Sequence, residues 1–298
     1  MDYQLKPLDQ QVIVITGASS GIGLCTAAMA ADKGCKLVLA ARSEGVLEAL
    51  CNEVRLAGGE AVYCVADVGI RGEVEEIARV AIERFGRIDT WVNDAGVAIY
   101  GRLWDVADED SRRLFDTNYW GVVYGSLVAL PYLRESGGAL INIGSEVSDA
   151  VVPLQVMYSA SKHAVKGFTD GLRIELQADK VPVSVTLIQP TAVNTPYPEH
   201  ARNYMDKEPK LPSPQIDPSK VAQAILHAAA HPERDVTVGA MAKLNTTNFK
   251  IMPRLADWMA KHYVTKQNYD SAPLDPMGTL YKAGEGGRIH GRPPEARP

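Results

Sequence analysis

The sequence predicts an open α/β fold built on a doubly wound, mostly parallel sheet, and three features predict it. Short β-branched runs alternate with segments of helical spacing from residue 11 onward. A glycine turn lies where the first such run gives way to the first helix. Three strand–helix units then follow in series, the arrangement that parallel strands with right-handed crossovers require.

Residues 11–16 (Gln-Val-Ile-Val-Ile-Thr) read as a strand that stops at Gly17, and residues 21–31 show helical spacing through Ile22, Cys25, Met29 and Ala30 before Gly34. A second strand at 36–41 leads to a helix at 43–56 with Val46, Leu47, Leu50 and Val54 inward, closed by Gly58 and Gly59. The alternation continues with a strand at 61–65, a helix near 72–85 and a strand at 90–92 that ends in Asn93-Asp94-Ala95-Gly96. A long helical stretch near 109–134, an apolar strand at 139–143, a helix carrying Tyr158 and Lys162 to about 177, and a buried-strand pattern at 183–188 follow. Prolines 196, 198, 209, 212 and 214 interrupt regular structure across 191–216, and a loop of that length in a compact domain predicts a functional one. A helix at 218–230 and a strand at 235–238 complete the alternation.

One domain over 1–268 is expected, with an amphipathic helix near 250–265 that starts at Pro253 and gathers Leu255, Trp258, Met259, His262 and Tyr263 on one side. Such a face packs against the body or a sister subunit, or else docks on a membrane surface or partner. Pro and Gly dominate 269–298, which predicts a mobile or loosely draped tail.

Lys and Arg number 31 against 36 Asp and Glu, a net charge of −5, and no basic block offers a track for a nucleic-acid backbone. The first eleven residues lack an apolar signal core, and no run approaches the roughly 18 apolar residues of a membrane span, so a soluble, cytoplasmic protein is expected. Cys25, Cys35, Cys51 and Cys64 lack the paired spacings of a zinc or redox site and read as reduced core fillers; no metal site is expected.

The turn Thr16-Gly17-Ala18-Ser19-Ser20-Gly21-Ile22-Gly23 suits close backbone approach to a pyrophosphate at a helix start, where free N–H groups meet negative charge; an ordinary βα turn is the bland alternative. Just after the second strand stand Ala41 and Arg42 where a carboxylate would favour a free ribose, and a guanidinium fork suits a 2′-phosphate. Otherwise Arg42 is a solvated residue before a helix that Ser43 caps and Glu44 favours. Tyr158 and Lys162 share one helix face at about 5–6 Å between Cβ atoms, so the ammonium can favour the phenolate by roughly 1–3 units and make an acid–base pair.

The Thr-Gly-x-x-x-Gly-x-Gly turn, Asn93-Asp94-Ala95-Gly96 and Tyr158-x-x-x-Lys162, in this order on the expected elements, resemble the classical short-chain dehydrogenase/reductase family over residues from about 10 to 240. The resemblance implies a Rossmann-type sheet of about seven strands, NAD(H) or NADP(H) as cofactor, a homodimer or homotetramer, and a small alcohol or carbonyl substrate. It implies a catalytic tetrad of Asn118, Ser145, Tyr158 and Lys162. Cofactor contacts would fall on Gly17, Ser19, Ser20, Gly21, Ile22, Gly23, Arg42, Asp67, Val68, Asn93, Ala95, Gly96, Tyr158, Lys162, Pro190, Val193 and Thr195. Each has a bland alternative: Asp67 as a turn-maker, Ser145 as a cap, Asn118 bonding its own helix. His163 is assigned no role.

Asp94, Gly144 and Thr191 depart from the family's usual asparagine, serine and glycine. Substrate contacts are expected from 147–155 and from the proline-rich loop with Tyr197 and Tyr204. The function expected is NADP(H)-dependent hydride exchange with a secondary alcohol or ketone, NAD(H) remaining possible, with Tyr158 as general acid/base. The alternative is a non-catalytic NAD(P)-binding sensor or scaffold on the same fold.

Overall fold

The structure is a computed structural model that describes residues 3–262, 264–284 and 286–292. Seven parallel strands form the central sheet: β1 (Val12–Thr16), β2 (Lys36–Ala41), β3 (Ala61–Val65), β4 (Thr90–Asn93), β6 (Ala139–Ile143), β7 (Ser184–Pro190) and β9 (Asp235–Val238). Their order, β3-β2-β1-β4-β6-β7-β9, is that of a Rossmann-type doubly wound sheet. A separate two-stranded ribbon pairs β5 (Ile99–Tyr100) with β8 (Arg202–Asn203), so the proline-rich loop is tied back to the segment after β4.

Strand periodicity explains the two cores. On β1, Ile13 and Ile15 pack toward α1 (Gly21–Asp32), α2 (Glu44–Leu56) and α7 (Pro218–Ala230). Val12 and Val14 point the other way, toward α3 (Arg71–Phe85), α5 (Gly121–Ser136) and α6 (Val156–Ala178). A strand covered on both faces has no polar side to show, which is why it reads as a continuous apolar run. All four cysteines are free and buried in these layers.

The order in which strands are added reverses between β1 and β4, running outward to β3 on one side and to β9 on the other, and this switch point is where an open α/β sheet leaves a crevice at its strand ends. The long helix splits into α4 (Asp108–Phe115), a π-helical turn at Asp116–Trp120, and α5. Past the sheet stand α8 (Ala240–Ile251) and α9 (Pro253–Lys261); α9 falls within the expected 250–265, and Pro253 restarts the helix after α8. Leu255, Trp258 and Met259 are exposed; Tyr263 lies outside the described residues. Among the described residues no helix is long and apolar enough to cross a membrane.

Composition predicts a mobile or loosely draped tail, yet its described residues are docked on the body. Leu280 is fully buried and Gly287 N–H donates to Ser19 O at 2.8 Å. Residues 285 and 293–298 of that segment lie outside the described residues.

Candidate active site

A cleft at the carboxyl ends of β1, β2, β4, β6 and β7 joins the glycine turn, Arg42, Asp67, Ser145, Tyr158 and Lys162. At one end, α6 begins just after Gln155, which places Tyr158 and Lys162 on successive turns of one face, as their spacing predicts. Lys162 is buried and donates from Nζ to Ile143 O at 2.8 Å, 5.7 Å from the centre of the Tyr158 ring. Burial pulls its ammonium down to about 8, opposed by the Asp94 carboxylate.

The expectation that Lys162 lowers the phenol is not met. Burial pushes Tyr158 up to about 12, opposed by hydrogen bonds with Ser145 and Tyr197. The ammonium is engaged by a backbone carbonyl, and desolvation of a phenolate outweighs the hydroxyl partners.

Ser145 sits where β6 ends and caps the short 3-10 turn Glu146–Ser148. Its Oγ accepts from Val147 N–H at 3.3 Å, while Ser148 Oγ accepts from Ser145 N–H at 3.2 Å. The capping role and the contact with Tyr158 therefore coexist. Gly144 has a steric reason: a Cβ there would lie 2.9 Å from Ser148 Oγ and 3.0 Å from Leu187 Cδ1. Asn118 lies in the π-helical turn, where a widened helix re-aims a side chain. Its Oδ1 accepts from Val97 N–H at 2.8 Å, and its Nδ2 donates to Val97 O at 3.0 Å and Ser161 Oγ at 3.2 Å. It thus fixes α6 against the segment after β4 and does not line the cleft itself.

At the other end, Gly17 has φ +75° and a Cβ there would meet Ala95 Cα at 2.8 Å, so both the backbone conformation and the close approach call for glycine. Gly23 serves packing: its Cβ would lie 2.3 Å from Gly17 O, and its N–H bonds the Asp94 carboxylate. Asp94 is pushed up to about 7 by burial, opposed by Lys162 and by that hydrogen bond. The residue that departs from the family's asparagine is thus a titratable carboxyl between the glycine turn and the lysine.

Arg42 donates to Thr279 O at 2.5 Å and Leu280 O at 3.3 Å, and stands 4.0 Å from Asp67. Asp67 makes its own turn, accepting from Gly69 N–H at 2.9 Å, and pairs with Arg113. Ser43 stands at the N-cap position of α2 as expected but makes no side-chain cap bond; its hydroxyl donates to Gly284 O at 3.4 Å.

Ser19, Ser20, Gly21, Ile22, Val68, Ala95, Gly96, Pro190, Val193 and Thr195 all line the same cleft. Asn93 does not: its Nδ2 donates to Asn142 Oδ1 at 2.8 Å and its Oδ1 accepts from Trp91 at 2.8 Å, so it braces β4 against β6. Thr191 packs on Gly239 and bonds Glu146 at 3.2 Å. Tyr204, expected over the site, instead donates to Asp110 at 2.7 Å. Tyr197 does face the site, its ring 5.4 Å from that of Tyr158 and its hydroxyl 2.9 Å from Gln155 Oε1. His163 bonds the Ser159 carbonyl outside the cleft.

Sequence reasoning missed Asp94 as a buried titratable group and the tail residues Thr279, Ala283 and Gly284 that line the cleft, whereas Gln155, behind Tyr197, closes the 147–155 segment from which substrate contacts were expected. A glycine turn whose close approaches leave no room for Cβ atoms, an arginine fork and a deep tyrosine–lysine end fit a dinucleotide.

A doubly wound sheet with a glycine turn and a tyrosine–lysine pair at one set of strand ends defines a nucleotide-cleft α/β protein. The model of the short chain dehydrogenase family matches residues 11–205, and the chain belongs to that family of oxidoreductases. It is 46% identical over 288 residues to the uncharacterized oxidoreductase YxnA of Bacillus subtilis (strain 168), covering 95% of this chain and 81% of that protein. Against 11-beta-hydroxysteroid dehydrogenase A of Sesamum indicum it is 32% identical over 260 residues, 84% of this chain and 74% of the other. Among solved structures, a short-chain dehydrogenase/reductase from Burkholderia phymatum in complex with NAD superposes with a TM-score of 0.71 at 27% identity, over 92% of this chain and 100% of that one. An alcohol dehydrogenase from the archaeon Thermococcus sibiricus complexed with 5-hydroxy-NADP gives 0.67 at 29% identity, over 76% of this chain and 94% of that one.

Proposed function

We propose that the protein is an NADP(H)-dependent oxidoreductase that interconverts a secondary alcohol and a ketone, with Tyr158 as proton donor and acceptor. The observation that carries this reading is the Tyr158 phenol, hydrogen-bonded to Ser145 in the cleft that also holds Arg42. When bound, the nicotinamide cofactor supplies or takes up the hydride. The chain's residues orient the partners and move the proton. A phenol held near 12 keeps its proton at neutral pH, which suits donation to a developing alkoxide in the reductive direction. Ser145 offers a hydroxyl for the substrate oxygen, and Lys162, with three N–H groups and one engaged by Ile143 O, keeps donors for a ribose. Asn118 positions this end through Val97 and Ser161.

The preference for NADP(H) over NAD(H) rests on Arg42 following the uncharged Ala41. The two cofactor-bound structures support a nicotinamide cofactor of either kind. Val147, Val152, Tyr197, Leu211 and Pro212 wall the rest of the cleft, which favours a partly apolar substrate. The names of the Sesamum and Thermococcus proteins support the alcohol and carbonyl class. A homodimer or homotetramer in the cytoplasm completes the reading.

Titration with NADPH and NADH, followed by a panel of ketones and secondary alcohols, tests it. Tighter binding of NADPH and reduction of apolar ketones are expected. Dinucleotide binding without turnover on any substrate would favour a sensor, and no dinucleotide binding would end the proposal.

A further inference from the structure

The docked tail crosses the cleft at its adenosine end. It leaves the proline-rich loop where Asn203 N–H donates to Pro276 O at 2.9 Å and Thr279 N–H to His200 O at 2.8 Å. It then passes Arg42, whose guanidinium donates to the carbonyls of Thr279 and Leu280, and Arg113, which donates to Leu280 O at 3.1 Å. It ends on the glycine turn: Gly287 N–H donates to Ser19 O at 2.8 Å, and Gly21 N–H to Arg288 O at 2.9 Å. Arg288 pairs with Glu199 at 2.7 Å beyond it.

The glycines that make this segment look disordered serve the docking. A Cβ on Gly286 would lie 3.0 Å from Ser19 O and 2.9 Å from Val46 Cγ2, and one on Gly278 would lie 2.4 Å from Ala201 O. Leu280 is fully buried beside Val97, Ile99 and Leu114; among the described residues of the tail it is the one buried apolar side chain. Thr279, Ala283 and Gly284 share the cleft with Arg42 and Asp67.

We propose that residues 276–284 and 286–292 belong to a strap over the cofactor site: they roof the adenosine and phosphate half of the dinucleotide, fix Arg42 through two backbone carbonyls, and lift for the cofactor to enter or leave. The inference rests on the dinucleotide reading above. Of the five N–H donors of a guanidinium, the strap carbonyls take two, which sets its plane and leaves others for an anion. Among its described residues the strap is held by backbone hydrogen bonds, edge ion pairs, buried Leu280 and half-buried Ile289, so it opens locally without unfolding the sheet. Release of the cofactor is then paced by that opening, and Leu280 is its latch.

The test uses the full-length protein, wild type against Leu280→Asp and Gly286→Val, with the fold of each checked by circular dichroism. NADPH release is read by stopped-flow fluorescence during a chase with excess NADP⁺, and amide hydrogen exchange of the strap is read with and without NADPH. NADPH should slow exchange of the strap in wild type, and both variants should release NADPH on the order of tenfold faster or more. Wild-type release rates in the folded variants, or strap exchange indifferent to NADPH, would overturn the strap alone. The exchange result on wild type decides if the variants do not fold. Failure of wild type to bind either dinucleotide would instead remove the reading beneath it, and the strap with it.

Discussion

The two ends of the cleft are built differently. At the reacting end the four tetrad groups stand on or beside regular structure: Tyr158 and Lys162 on α6, Ser145 just past β6 at the cap of a 3-10 turn, and Asn118 in a helical turn whose amide is held by Val97 and Ser161. At the adenosine end, Arg42 follows a strand but is held by irregular backbone from more than two hundred residues later, at Thr279 and Leu280. The reacting end is buried and its titrating groups are shifted by desolvation. The adenosine end is half-buried and is closed by hydrogen bonds that can open. Geometry that must be held through a reaction sits on rigid elements, and geometry that must let a ligand pass sits on a strap.

Arg42→Asp breaks the comparison at the adenosine end with a large effect on cofactor choice. If Arg42 holds the 2′-phosphate, the change replaces that fork with a carboxylate suited to ribose hydroxyls, and the NADPH-to-NADH preference in kcat/KM should fall by roughly 10- to 100-fold. Arg42 also anchors the strap, so undocking adds to the loss of affinity. Leu280→Asp separates the two: a loosened strap weakens both dinucleotides, and because the strap also sets the Arg42 plane it lowers the NADPH-to-NADH ratio, but less than loss of the fork itself. A ratio unmoved by Arg42→Asp would discredit the phosphate assignment.

Asp94→Asn sharpens the comparison at the reacting end with a smaller effect. Asp94 is held near 7 in the folded chain, against about 3.9 for a free aspartate. Between those values the folded state carries the extra proton, so Asp94 makes stability fall as pH rises through that window. The variant should lose that fall in urea titrations run from pH 4 to 7. Because the carboxylate supports the Lys162 ammonium, its removal should also move the lysine-linked limb of the pH–rate profile, near 8 in the parent, to lower pH by about one unit. An unshifted limb would mean that Asp94 and Lys162 do not sense each other.

The sheet was legible in the sequence because its strands are covered on both faces and read as bare apolar runs, such as residues 12–16 and 139–143. The reacting residues were legible because two of them lie one helical turn apart, a spacing that survives any tertiary arrangement. What burial does to them was not: the sign of the Tyr158 shift depends on how far desolvation outweighs its hydroxyl partners, and sequence spacing carries no solvent exposure. Asn93 pairs with partners from other strands that no local motif announces. The tail misled because glycine and proline also serve close backbone docking, as at Gly286 and Gly278, where the neighbour that requires a missing Cβ is far away in sequence.

The most direct measurement of the central claim is kcat/KM of Tyr158→Phe for a reducible ketone, with NADPH occupancy checked by fluorescence in the same sample. If Tyr158 supplies the proton, kcat/KM should drop on the order of 10²- to 10⁴-fold while NADPH still binds. Turnover equal to wild type with NADPH bound would contradict the account.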